Sequence, residues 1–166
     1  MHKVMKNKYL TLILIVFGLA QVVQAQDGGN QVSIDLKVYR IDVDTDGNET
    51  ATEVTETKPG DLLEYRLVCT NTGTNGVTSV YPDLGIPDGT KYMEGTASPA
   101  ITAASLSLRQ KNFQQLPLIR RETLPSGLVV SREVPAEEYR QIQWLLPSLG
   151  AGESVTLSAR VQVIDG

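Results

Sequence analysis

The chain has 166 residues, with 15 basic and 19 acidic side chains, a net charge of −4, one histidine and one cysteine. The histidine, His2, lies in a removable leader. The mature chain therefore has no Ser-His-Asp or Cys-His machinery, no histidine-ligated metal, no internal disulfide and no cysteine-rich zinc site. An acidic balance also argues against nucleic acid and anionic membrane surfaces as partners.

Residues 1–8 carry Lys3, Lys6 and Lys8 and no acid, and residues 9–20 are almost unbroken apolar sequence. Val23-Gln24-Ala25 then ends in small residues of the kind signal peptidase accepts. This is the pattern of a secretory signal peptide over residues 1–25, and its apolar run is short for a membrane span. Cleavage after Ala25 leaves 141 of the 166 residues, and removing three lysines from 15 basic groups leaves 12 against 19 acids, a net charge of −7. No cysteine stands directly after the cut, where Gln26 lies, so a lipid anchor there is not expected. A short leader, residues 26–31, is expected to precede one domain over residues 32–166, with no sorting tail or second module expected. A chain of this size buries roughly two-thirds of its unfolded surface, enough for one core without disulfides.

The mature sequence reads as strands and turns. Residues 31–41 alternate, with Val32, Ile34, Leu36 and Val38 on one face. An acidic turn over residues 42–48 leads to an edge strand over residues 49–57. Lys58-Pro59-Gly60-Asp61 is a tight turn, with Pro fixing φ and Gly admitting a positive one. The strand over residues 62–71 is the most core-like, and Leu63, Tyr65, Leu67 and Cys69 share its inner phase. Asn75-Gly76 is a hairpin signal before a strand over residues 77–81. After the turn over residues 86–90, strands are expected over residues 91–97, 104–109 and 113–119. The last two pair across Gln110-Lys111-Asn112. Residues 127–133 form a further strand, residues 136–139 a helical turn, and residues 141–146 a strand carrying the sole tryptophan, Trp144. Gly150-Ala151-Gly152-Glu153 turns into the final strand, residues 154–164. Eight or nine short strands with no helical segment of ten residues predict an all-β, immunoglobulin-like, Greek-key β-sandwich, with a closed barrel as the alternative.

Specific residues also match a known pattern. Lys58-Pro59-Gly60-Asp61-Leu62-Leu63-Glu64-Tyr65-Arg66-Leu67 runs into Asn71-Thr72-Gly73. Then come Pro82-Asp83, Ile86-Pro87-Asp88-Gly89-Thr90-Lys91-Tyr92, Gly95-Thr96-Ala97-Ser98, Gln143-Trp144 and Leu149-Gly150-Ala151-Gly152-Glu153-Ser154-Val155. This series resembles the Ig-like "conserved repeat" domain of prokaryotic surface and secreted proteins (domain of unknown function number eleven), from about residue 36 to residue 164. The resemblance implies a β-sandwich used for structure and adhesion, and it brings no catalytic residues. A single copy, rather than a tandem array, departs from the family's spacer usage.

One stretch formally satisfies a calcium loop. Asp42, Asp44 and Asp46 alternate before Gly47, and Glu53 follows at the twelfth position. The flanking segments read as strands rather than EF-hand helices. The competing reading is an acidic hairpin turning at Asp46-Gly47 or Gly47-Asn48. No other cofactor is implied. Glu137-Glu138 reads as a solvated pair rather than catalytic carboxylates, and Arg109, Lys111, Arg120 and Arg121 form a modest basic patch. Trp144 is expected between the sheets and Cys69 in the core. The functional expectation is an exported, non-enzymatic structural or interaction module of the cell envelope, periplasmic, surface-bound or secreted. It would engage a protein partner or itself and bind no nucleic acid. One alternative is a self-assembling filament or surface-layer subunit using N-terminal strand addition. A remote one is an accessory domain of an envelope enzyme.

Overall fold

The computed structural model describes residues 23–24 and 31–164; the expected cut after Ala25 and most of the expected signal peptide and leader lie outside the described residues. In chain order the strands are β1 (Val23–Gln24), β2 (Gln31–Val43), β3 (Glu49–Glu53), β4 (Leu62–Asn71), β5 (Val77–Val80), β6 (Asp83–Gly85) and β7 (Thr90–Tyr92). They continue as β8 (Ala103–Ser105), β9 (Gln114–Gln115), β10 (Ile119–Thr123), β11 (Val129–Glu133), β12 (Gln141–Gln143), β13 (Leu146–Leu149) and β14 (Ser154–Val163). A single 3₁₀ turn, Ala136–Glu138, sits between β11 and β12.

The first sheet has the order β1-β2-β4-β14-β7, with β3 on the outer edge of β2. All its pairings are antiparallel, and β4 at its centre runs beside β2 and β14 along its length. The sequence explains the register. Leu63, Tyr65, Leu67 and Cys69 fall on one phase of β4, opposite Leu157, Ala159 and Val161 on β14, and a slip of one residue would expose them all. The tight turn at Pro59-Gly60, with Gly60 at φ +89°, sets that phase.

The second layer is one ladder broken by prolines. β5 pairs β13 and β6 pairs β12, and both keep a single constant register. Between them the Trp144 N–H donates to the Pro82 carbonyl at 3.0 Å. Pro82 and Pro147 cannot donate, which interrupts an otherwise continuous antiparallel pair. β8 and β9 extend this layer beyond β12. The core lies between the two layers, with Leu63, Leu67, Cys69, Leu157 and Val161 from the first facing Leu84, Ile142, Trp144 and Leu149 from the second. Trp144 is fully buried, and its indole N–H donates to the Pro99 carbonyl at 2.7 Å. The molecule is an all-β sandwich, not a barrel.

Three expectations need correction. Fourteen strands are present among the described residues, not eight or nine: prolines split the expected strand over residues 141–146 into β12 and β13, and β1, β6 and β10 are additional. The Asn75-Gly76 turn makes no hairpin: β4 pairs β2 and β14, whereas β5 pairs β13, so the chain crosses between layers there. The buried Asn71 side chain fixes that crossing. Its Nδ2 donates to the carbonyls of Asn75 (2.7 Å) and Leu149 (3.0 Å), and its Oδ1 accepts the Gly73 N–H at 3.0 Å. Third, β8 and β9 pair only through Ala103–Gln115 and Ala104–Gln114, shorter than the hairpin expected.

Candidate functional site

The acidic stretch forms a β2–β3 hairpin. Gly47 takes φ +85°, its N–H donates to the Asp44 carbonyl at 3.1 Å, and the Asp44 N–H donates to the Asn48 carbonyl at 3.0 Å. This is a four-residue turn closed by a left-handed glycine. The Asp44 carboxylate is occupied within it: it accepts the backbone N–H groups of Asp46 (2.9 Å) and Asn48 (2.8 Å) and the Asn48 side-chain amide (3.0 Å). The Asn48 side chain first, then its backbone, hold this carboxyl below the ordinary aspartate value.

The other members of the calcium pattern are not gathered around Asp44. Asp42 binds the Arg40 Nε at 3.1–3.2 Å. Asp42 pairs Thr50 and Glu53 pairs Tyr39. Directly paired residues share a face and successive residues alternate, so Asp42 and Glu53 project from opposite faces of the ribbon. Glu53 also lies four residues beyond Glu49 from the tip, about 13 Å at the strand rise, and it meets Lys37 at 3.6 Å. Among the described residues no three His, Cys, Asp or Glu side chains converge as metal ligands. Spacing along the chain counted these four residues as neighbours, and the ladder separates them.

The outer face of the first sheet carries a charged network. Arg160 reaches Glu64 through Nε at 2.9 Å and Glu49 through both terminal nitrogens at 2.8 and 2.6 Å. Glu64 also accepts from Arg66 at 2.7 Å, and the Arg66 guanidinium lies 4.2 Å from the centroid of the Tyr39 ring. Burial pushes the Glu64 carboxyl up, but hydrogen bonds from Arg160 and Arg66 outweigh it and leave it below the ordinary glutamate value. Cys69 is a buried free thiol, and burial raises it to about 11. Of the basic patch, Lys111 pairs with Asp83 at 3.0 Å and Arg120 with Glu138, while Glu137 meets Lys91 at 3.9 Å. Arg109 and Arg121 have no ion-pair partner among the described residues.

Two features emerge only from how the segments come together in the fold. The first is an arm. Among the described residues β10 and β11 pair with each other and with no other strand, around the turn Leu124-Pro125-Ser126-Gly127 with Gly127 at φ +83°. The arm is rooted by Leu118 and Val134, both in the core, through a Val134 N–H to Leu118 carbonyl bond of 2.8 Å. Beyond the root Ile119, Leu128 and Val129 are 52%, 60% and 59% exposed. The Pro125-Ser126-Gly127 turn ahead of the apolar run Leu128-Val129-Val130 was the available signal.

The second feature is a cleft beside the root of the arm. After β7 the chain turns over Glu94-Gly95, with Gly95 at φ +74°, and rejoins β14 where Ser98 and Ser158 exchange backbone bonds of 2.9 and 2.8 Å. The Thr96 hydroxyl braces this turn, donating to the Met93 carbonyl at 2.6 Å and accepting the Arg160 N–H at 3.0 Å. The 3₁₀ turn places Tyr139 opposite. A cavity of about 410 Å³ lies alongside, lined by Tyr92, Tyr139, Glu94, Glu133, Ile101 and Leu116 among others. The two rings lie nearly parallel, at 14°, with centroids 6.3 Å apart. Burial, and after it the charges of Glu94 and Glu133, raise the Tyr139 phenol. Burial and, more weakly, Glu94 raise Tyr92 against a hydrogen bond from the Ala97 backbone. These residues come from three separate segments, so no local pattern marked them. The arrangement offers aromatic and aliphatic surface under a negative potential, which are properties of a binding cleft.

The chain matches no protein-family model, no curated protein and no solved structure. Among the described residues no helix is long and apolar enough to cross a membrane.

Proposed function

We propose that this chain is an exported, non-enzymatic sandwich of immunoglobulin-like type, akin to the conserved repeat domain of prokaryotic surface proteins. It acts in the cell envelope as a structural or interaction module through surface complementarity. The observation that carries this reading is the β10–β11 arm. An isolated two-stranded ribbon is marginal in water, and this one also presents three large apolar side chains to solvent. Such a ribbon gains most of its order, and buries its apolar tip, against another protein. Exported material should begin at Gln26 by intact mass, and Leu128→Glu with Val129→Glu should remove its partner contacts without changing its melting temperature. A mass retaining residues 1–25, or partner contacts indifferent to the arm, would refute the proposal.

The strand-addition alternative has its own support. Among the described residues β3 pairs β2 only over residues 39–43 and β1 only over residues 31–32, so no described strand covers the outer edge of β2 over residues 33–37. An edge of that length accepts an added strand from a neighbouring copy. Filaments in micrographs of purified mature protein would favour it, and a monodisperse monomer at high concentration would remove it.

A further inference from the structure

We propose that the cleft beside the stacked Tyr92–Tyr139 pair, flanked by Glu94 and Glu133, binds an organic cation carried on an apolar stem, the chemistry of a lysine or arginine side chain. The inference is independent of the arm.

The argument begins with the carboxylates. Around the cleft the neighbouring acids are neutralised: Glu137 meets Lys91, Glu138 meets Arg120 and Asp88 meets Arg140. Glu94 and Glu133, the two acids that line the cavity, have no cationic partner among the described residues. They arrive from opposite walls, Glu94 on the braced turn after β7 and Glu133 at the end of β11. Their charges reach the Tyr139 phenol, so the negative potential extends to the aromatic wall.

The lining then selects the ligand. Ile101 and Leu116, with the rims of the stacked Tyr92 and Tyr139 rings, supply surface for a methylene stem, and the two unpaired carboxylates beside it supply the attraction for a cation. An anion would meet repulsion from both glutamates. A neutral apolar ligand would strip water from two carboxylates and return nothing for it. A bare metal ion would find two carboxylates and no third ligand. An ammonium or guanidinium satisfies the carboxylates while its stem covers the apolar wall.

The test titrates purified mature protein with N-acetyl-lysine methylamide and with its uncharged analogue N-acetyl-norleucine methylamide, following the ring resonances of Tyr92 and Tyr139 by NMR. The lysine probe should shift both rings, with an affinity that falls as salt is added, and should bind at least about tenfold tighter than norleucine. In the Glu94→Gln, Glu133→Gln variant the lysine affinity should drop by roughly tenfold or more. Both positions are exposed and unpaired, so this variant keeps the fold, which its melting curve verifies. Glu94→Lys supplies a resident cation and should abolish lysine binding on its own. n-Butylamine separates the sources. Binding weaker than that of the lysine probe assigns the site to a polypeptide side chain, and equal binding assigns it to a free amine. Norleucine binding as well as lysine, an undiminished affinity in the double variant, or no ring shift at all would overturn the proposal.

Discussion

Replacing Asn71 with alanine should cost more stability than any substitution at the surface, because this one side chain joins the two layers. It is fully buried and makes three hydrogen bonds: to the Asn75 carbonyl at 2.7 Å, to the Leu149 carbonyl at 3.0 Å, and from the Gly73 N–H at 3.0 Å. The three partners do not suffer equally. Leu149 is only 1% exposed, so its carbonyl loses this donor with little access to water, a loss worth about 1–3 kcal/mol. Asn75 is exposed and Gly73 half-buried, so water replaces most of what they lose, and about 0.5–1 kcal/mol each is the net change. The total is about 3 kcal/mol, which for a domain near 140 residues lowers Tm by roughly 10 °C. Thermal melts followed by circular dichroism, with chemical unfolding for the free energy, measure it. Asn71→Asp serves as the sharper variant. It keeps the acceptor for Gly73 but turns an anion toward two carbonyls, so it should be worse than alanine at neutral pH and partly recover in acid. A loss under about 0.5 kcal/mol in the alanine variant would refute the assignment of the crossing to this side chain.

Cys69 should resist a thiol reagent at pH 8 in the native protein and react once after denaturation, since burial raises the thiol to about 11; rapid native labelling would put β4 in the wrong phase. Glu64 is held below 4.5 in the folded state, so its contribution to stability is present above that ordinary value and lost as the pH falls through the lower folded one. Wild type should therefore lose stability below about pH 4.5 more steeply than Arg160→Ala, and equal slopes in acid titrations would contradict the role given to the network. Calcium should leave Tm unchanged in wild type and in the Asp42→Asn, Asp46→Asn variant, because Asp42 and Glu53 face opposite ways. A chelator-reversible rise of several degrees, lost in that variant, would show that the hairpin rearranges around an ion.

The strands legible in the sequence are those with one buried face. β4 occupies residues 62–71 as expected, and β14 ends one residue short, because alternation is strict where one side packs on the core. Tight turns were legible for the same kind of local reason, as at Gly60 and Gly152, both with positive φ. Non-local features were not. Asn75-Gly76 has hairpin chemistry, yet Asn71 and the pairing of β5 with β13 send the chain to the other layer. β6 is three residues long beside a proline, too short for periodicity to register. The strands of the arm are exposed or half-exposed along their length, so no buried phase marks which face belongs to which side. The calcium pattern counts positions along the chain, whereas coordination depends on the face each residue takes in the ladder. The cleft needs Tyr92, Glu94, Glu133 and Tyr139 together, which only the tertiary fold provides.

The reading of this chain as an interaction module rests on the arm, and site-specific photo-cross-linking in the native organism tests it most directly. A photoreactive amino acid replaces Leu128 at the arm tip in one strain and Thr52, an exposed residue on the edge strand β3, in another. Irradiation of intact cells should yield a discrete adduct of fixed mass from position 128 in the envelope fraction, and none of that mass from position 52. The absence of any adduct at position 128, or the same adducts from both positions, would contradict the account.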